Sequence, residues 1–536
     1  MKRSTLYLIG LIAPTALIAG VELRAEGVYS PGGWATLHRG PANRKFVPDV
    51  ALATDYRVWT ALEGSAVLTA PTMSPDGRTL YVTTGRAAGN SNLHAFDLDG
   101  ELLWRAEPWQ GPQQGVDPCA ILSSAIVDDQ GDLYLGDCNQ LFAFRSDGSV
   151  KWVVPLPSIR AGDWNASDAI PVNALTTAVF TREGHVLGVT NSGEVIVVDR
   201  ATGLSMADPK RLPGRVPSMS TTVPMPGSAF SGGLVDPEIR EWAWQLLFGG
   251  AMRSANTPAV DLDSGRIFVA ATSTTESKGA LYALDLREKE TGLEISIAFA
   301  TEMGPGSGSS PSLSPSGDAV YVNDEAGVFY AVDADSGELR WQVQTKSTSA
   351  AAAVGRNGDI YALQAYGPAL VAITPEGVIR WQSELQALAD ATVPPSWLLG
   401  DPVAIGNGNP TAVSRAKLGA AAGGEGNVVL VPIAYGYETH VGRRIPWLVK
   451  SSLVAVDAET GKGLRDVVTL ADDSTGITSV LPDGTIINSL GTAITSGLAP
   501  LAGVADWILP EDFHLLRAVG GIQVSRPRVE GLGQAD

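Results

Sequence analysis

One unit recurs along almost the whole chain, and no other feature constrains the fold as much. It is a strand of small residues, an Asp/Gly turn, a strand ending in a Tyr-Val type pair, and a short loop. A strand of the type Leu-Tyr-Ala-x-Asp follows, then a turn with Gly and often a Trp. The clearest copy runs from Ser310 to Trp341, "SPSLSPSGDAVYVNDEAGVFYAVDADSGELRW". Others lie at Ala70 to Trp104 and Ser123 to Trp152, and around Val195, Leu281, Leu370 and Leu453. A degraded copy starts at Ile477. Seven clear copies and one degraded copy predict an all-β, eight-bladed propeller of four-stranded antiparallel blades, closed by pairing the N-terminal region with the C-terminal blade near Ile477 to Leu509, with seven blades as the alternative.

The physical reason is the alternation within each copy. One four-stranded sheet cannot bury both faces alone, but sheets stacked around an axis cover one another. Asp at each turn bonds its own backbone, and Gly takes positive φ. The Trp closing several copies (Trp104, Trp152, Trp341, Trp381) is expected to pack between neighbouring blades. With strands A to D running outward from the axis, the B–C turns and D-to-A crossovers share one face. The A–B and C–D turns share the other, and here they are tight. The irregular sequence therefore collects on the first face: crossovers at 155–173, 205–256 and 383–409, and B–C loops at 85–92, 272–279 and 435–447. Loops of that length are usually functional, and this face is the expected binding surface.

The repeat "AVDADSGELRW" resembles the pyrroloquinoline-quinone (PQQ) propeller repeat family, and "GWATLHRGPANRKF" at Gly33 is similar to that family's opening segment. The family includes eight-bladed quinoprotein alcohol dehydrogenases and the non-catalytic propeller lipoprotein of the outer-membrane barrel assembly machinery. The resemblance implies the fold and leaves activity open, because the fold hosts both enzymes and scaffolds. The dehydrogenases use an adjacent Cys-Cys pair, a Glu and an Asn on calcium, and a catalytic Asp. This chain has no Cys-Cys dipeptide and no Cys-x-x-Cys-His haem motif. Thr272 and Ser273 stand where the family's Gly-Asn-Pro turn supplies the calcium-binding Asn. PQQ and calcium are disfavoured on these grounds; Asp137, Asp324 and Glu325, in B–C turns on the same face, are the residues that would have to substitute.

Lys2 and Arg3 precede an apolar stretch, Leu6 to Ala19, with a small residue at Ala25. This pattern predicts a signal peptide over 1–25 and a periplasmic or secreted protein, with a short uncleaved anchor as the alternative. A lead-in segment (26–60), the propeller (61–512) and a C-terminal tail (513–536) are expected to follow. No later segment reads as transmembrane. The only two cysteines, Cys119 and Cys138, flank strands A and B of blade two, and folding that hairpin brings them within disulfide range. A net charge of −19 argues against nucleic acid as a partner.

Weaker constellations sit on the loop-rich face. His440, Arg443 and Arg444 share "YGYETHVGRRIPW" with Tyr435, Tyr437 and Trp447, cations among aromatics suited to an anionic or planar ligand. Asp163, Trp164, Asn165 and Asp168 lie in a crossover, where oxygens suit a cation. The expected function is an exported, monomeric propeller binding a protein or small-molecule ligand on that face. The alternative is a divergent quinoprotein oxidoreductase, or another propeller enzyme with an axial site.

Overall fold

The computed structural model describes residues 27–85, 92–156, 173–215, 252–306, 308–345, 347, 351–364, 369–406, 408–417, 425–440, 444–474, 476–490, 507, 509–510, 513–516 and 519–528. The expected signal peptide lies outside them. Eight sheets form, each with a core of four strands in A-B-C-D order. Blades one to seven occupy 72–105, 126–155, 179–211, 259–303, 312–344, 353–384 and 411–470. The ring is an eight-bladed propeller, as the repeat count predicts.

Burial follows position in the blade. Strands B and C are covered on both faces by neighbouring sheets, as in Ala319–Asn323, where every residue is buried. Strand D forms the rim and alternates between exposed and half-buried, as in Leu339–Gln344. In blades one, two, five and six the half-buried Trp of strand D docks on the C–D turn of the next blade. The indole N–H groups of Trp104, Trp152, Trp341 and Trp381 donate to the carbonyls of Ser146, Arg200, Pro375 and Ala458 at 2.9, 3.1, 2.7 and 3.1 Å. A glycine receives each ring: a Cβ added at Gly148, Gly203, Gly377 or Gly461 would lie 2.5–2.8 Å from the indole.

Blade eight is assembled from both ends of the chain. Thr478–Val480, Ile486–Leu490 and Gly521–Pro527 supply strands A to C, and Tyr56–Ala61 supplies strand D. The pairing runs from Tyr56↔Pro527 to Ala61↔Ile522 and removes the last open edge. Strand C thus falls inside the expected tail, and strand D lies in the expected lead-in up to its last residue, Ala61. Trp59 completes the docking series, donating to Leu98 O at 3.0 Å beside Gly100 of blade one.

The rest of the lead-in plugs the axis. Its backbone accepts hydrogen bonds at Trp34, Ala35, Pro41, Ala42, Arg44 and Lys45 from Met73, Val127, Val260, Leu313, Val354 and Ala412, all in innermost strands. The Tyr29 hydroxyl accepts from Phe180 N in blade three at 2.8 Å, and Phe46–Pro48 runs parallel to Thr411–Lys417. These contacts lie beside the A–B turns, so the plug closes the tight-turn face and leaves the axis directed at the loop-rich face.

Candidate functional site

Blade seven departs most from the repeat. Its B and C strands, Glu425–His440 and Arg444–Asp457, are 16 and 14 residues long and stay paired up to His440↔Arg444. Strand D reaches only as far as Ser451, and strand A only as far as Leu430. The upper hairpin therefore stands above the ring on the loop-rich face. The crossover from blade six supports it: the helix Gln386–Thr392 packs beside it, and Pro402–Ile405 pairs with Ala434 to Tyr437. The Tyr437 hydroxyl donates to Pro394 O at 2.6 Å, and Leu516 N donates to Leu448 O at 2.7 Å. Leu385, Ala389, Val393, Leu399, Leu509 and Leu515 share one buried cluster with Tyr435 and Tyr437.

The segment 435–447 was expected to be an irregular loop and is largely ordered ladder. Tyr435 and Tyr437 are fully buried supports of the hairpin. His440 and Arg444 form the last pair before its end, and Arg443 lies outside the described residues, as do Asp163, Trp164, Asn165 and Asp168. Two indoles that sequence reasoning did not single out stand bare on this layer. Trp397 is 93% exposed and Trp507 is 92% exposed, and the adjoining chain at Leu399 and Leu509 is anchored in the shared cluster.

The carboxylates of Asp324 and Asp137 are engaged, and the Glu325 side chain is packed. Asp324 Oδ1 accepts from Ala326 N and Val328 N, both at 2.9 Å, and Oδ2 accepts from the Tyr330 hydroxyl at 2.7 Å. Gly304 presses on it; a Cβ there would lie 2.0 Å from Asp324 Oδ2. Glu325 donates its backbone N–H to Pro305 O at 2.7 Å, and a Cβ on Gly306 would lie 2.7 Å from its side chain. Asp137 Oδ1 accepts from Asn139 N and Gln140 N at 2.7 and 2.8 Å, and Oδ2 accepts from Asp117 N at 3.1 Å. Burial pushes its carboxyl up to about 7 despite these donors. Thr272 is fully buried, with its carbonyl accepting from the Tyr282 hydroxyl at 2.8 Å, and the Ser273 hydroxyl bonds Glu302 at 3.4 Å.

Cys119 and Cys138 form the expected disulfide, with Cα atoms 5.8 Å apart. Cys119 sits in the short 3-10 helix Pro118–Leu122, capped by the Asp117 side chain, and Cys138 follows Asp137 in the B–C turn. The bridge staples this sector of the loop-rich face. On the opposite face, a cleft of about 190 Å³ between blades six and seven is lined by Phe46, Arg356, Asn357, Asn427 and Glu459 among others. That is small for a ligand pocket.

Eight docked blades around a plugged axis define a propeller of the PQQ type. The family model described as outer membrane protein assembly factor BamB matches residues 50–223 and 233–488, and the chain belongs to that family. Among solved structures, a europium-containing methanol dehydrogenase aligns with a TM-score of 0.56 at 14% identity, covering 93% of this chain and 98% of that one. The quinohemoprotein alcohol dehydrogenase of Comamonas testosteroni aligns at 0.52 and 12% identity, covering 95% and 83%. BamB from Moraxella catarrhalis aligns at 0.49 and 13% identity, covering 88% and 99%. At these identities the structural likenesses show the fold alone. No curated protein matches the chain. Among the described residues no helix is long and apolar enough to cross a membrane.

Proposed function

We propose that the protein is an exported, monomeric binding or scaffold propeller that docks a partner on its loop-rich face and does no quinone chemistry. The observation that carries this reading is the raised layer around blade seven. The segments that pack against the raised hairpin carry Trp397 and Trp507, both bare to solvent, and exposed indoles are characteristic anchors of interfaces. His440, Arg443 and Arg444 at the hairpin end, with Asp163, Trp164 and Asn165 from the crossover between blades two and three, complete the proposed contact set. The signal-like pattern over 1–25 in the sequence supports a periplasmic or secreted location.

The donor set does not fit PQQ and calcium. The quinone needs a cation on its reactive carbonyl and a base for the substrate proton. Asp137 and Asp324 spend their oxygens on backbone N–H groups and a tyrosine hydroxyl, while Thr272 and Ser273 offer neutral oxygens that are already buried or bonded. No reaction step is therefore assigned to that cofactor.

The face is tested by photo-crosslinking in cells, with a photoreactive phenylalanine at position 397 or 507, or at Glu183 or Asp263 in tight A–B turns. A discrete adduct from 397 and 507 alone is expected. Equal labelling from all four positions, or none, refutes the docking face.

A further inference from the structure

The cleft of about 190 Å³ between blades six and seven has two unlike walls. Phe46 of the plug, Val413 and Val428 form an apolar side, and Arg356, Ser414 and Asn427 form a polar one. An irregularity in blade seven accounts for the polar side. Strand A pairs Val413↔Val428 and then Ala416↔Gly426, so Ser414 and Arg415 bulge from the ladder opposite Asn427. Bulges commonly re-aim side chains beside functional sites.

Most polar groups around the cleft already have partners. Arg415 pairs with Asp49, and Arg380 pairs with Asp359 and Glu459. Glu459, which also lines the cleft, is thereby held by a cation at 3.1 Å, and its Oε1 accepts from Asn427 Nδ2 at 3.5 Å. Asn427 Oδ1 accepts from Arg415 N at 3.2 Å, and Asn357 bonds Asp359 at 2.7 Å. Two groups differ. Arg356 stands exposed on the A–B turn of blade six, and among the described residues its guanidinium bonds no acceptor. Ser414 is 2% exposed, and its hydroxyl has no hydrogen-bond partner. A buried hydroxyl left without a partner is uncommon in folded proteins and calls for an explanation.

We propose that this cleft binds a small monocarboxylate with a compact apolar body. A free guanidinium presents a planar fork of donors that matches a carboxylate. Arg356 takes the charged group, the Ser414 hydroxyl gains its missing partner, and Phe46, Val413 and Val428 cover the apolar body. The volume sets the size. A cavity of about 150 Å³ admits a molecule as large as benzene, so an acid of a few carbons fits and a drug-sized ligand does not. The carboxylate belongs either to a free acid or to the last residue of a peptide. The cleft lies on the face opposite the raised layer, so substitutions at Trp397 and Trp507 leave it intact, and docking there and binding here fail independently.

The test is titration of the purified full chain, followed by saturation-transfer NMR on the ligand. The probes are isovalerate and its amide, and the peptide acetyl-Ala-Gly-Val with a free or an amidated end, at matched ionic strength. Saturable binding is expected for at least one of the two acids, with its amide at least tenfold weaker. Tighter binding of isovalerate identifies a free acid as the ligand, and tighter binding of the peptide identifies a chain terminus. Arg356→Gln, on an exposed turn, is expected to weaken binding at least tenfold. Arg356→Lys, which keeps the charge and loses the fork, should recover part of that loss, and Ser414→Ala should weaken binding several-fold. Acids and amides that bind alike, wild-type affinity in Arg356→Gln, or no saturable binding of either acid overturns the proposal.

Discussion

At the scale of single residues, the molecule depends on pairs that the repeat places a blade apart. Gly461 holds φ +72°, and a Cβ there would lie 2.5 Å from the Trp381 ring. Gly461→Ala therefore combines backbone strain with a displaced indole, and a loss of about 2–3 kcal/mol is expected by urea unfolding. Gly426 has open space around it and no positive φ, so Gly426→Ala at the same scale should cost well under about 1 kcal/mol. Asp137 contributes a pH dependence. Its carboxyl is raised from 3.8 to about 7 in the folded chain. Between these values the folded state keeps a proton that the unfolded state has released. Its stabilising contribution is complete below about pH 4 and is lost as the pH rises to about 7, by up to about 4 kcal/mol. Unfolding of wild type and Asp137→Asn at pH 4.5 and 7.5 should show the difference between them changing in that direction. A difference independent of pH refutes the assignment.

At the scale of elements, the loop-rich face is stabilised one blade at a time. The Cys119–Cys138 bridge ties the entry of strand A to the B–C turn of blade two across a sequence separation of 19. A loop of that size is worth about 3 kcal/mol of unfolded-state entropy. The double variant Cys119→Ser/Cys138→Ser should lose about that much in urea while keeping its far-ultraviolet circular dichroism. The hairpin of blade seven uses a different device. Its strands outrun strands A and D, and the edges left bare are met by Pro402–Ile405 and by the backbone of Leu516. Elements from distant parts of the chain thus brace it.

At the scale of the whole molecule, the two faces divide the work. The tight-turn face is sealed by the N-terminal plug and Asp/Gly turns, and the other face carries the raised layer and the axial mouth. The poor fit of Asp137, Asp324, Thr272 and Ser273 to PQQ and calcium, among the described residues, predicts a behaviour of the intact protein. Produced without PQQ and then supplied with PQQ and calcium, it should neither take up the quinone's absorbance nor reduce an artificial acceptor in the presence of alcohols. Stoichiometric quinone uptake with acceptor reduction would place the protein among the oxidoreductases instead.

What the chain determines by itself is whatever one repeat can encode. Strand alternation, Asp/Gly turns and the docking Trp are local, so the blade count, the sorting of loops by face and the Cys119–Cys138 pairing were legible before any coordinates. The tertiary structure decided what depends on contacts between distant residues. Closure by the N-terminal region was expected, but its partner was not: Tyr56–Ala61 pairs with Gly521–Pro527, beyond the expected 477–509, and Trp59 in "YRVWTA", which matches the docking Trp of the other copies, was a readable sign. Asp137, Asp324 and Glu325 looked available as turn residues, yet backbone donors or the packed 304–306 segment engage them, a matter of geometry with no sequence pattern. Tyr435 and Tyr437 read as loop aromatics because a strand of 16 residues breaks the repeat's own length. The plug was hidden for a related reason. Its backbone accepts from innermost strands of six blades, so nothing local marks Lys45 or His38 as buried at the axis, and only closure of the ring around them takes both away from water.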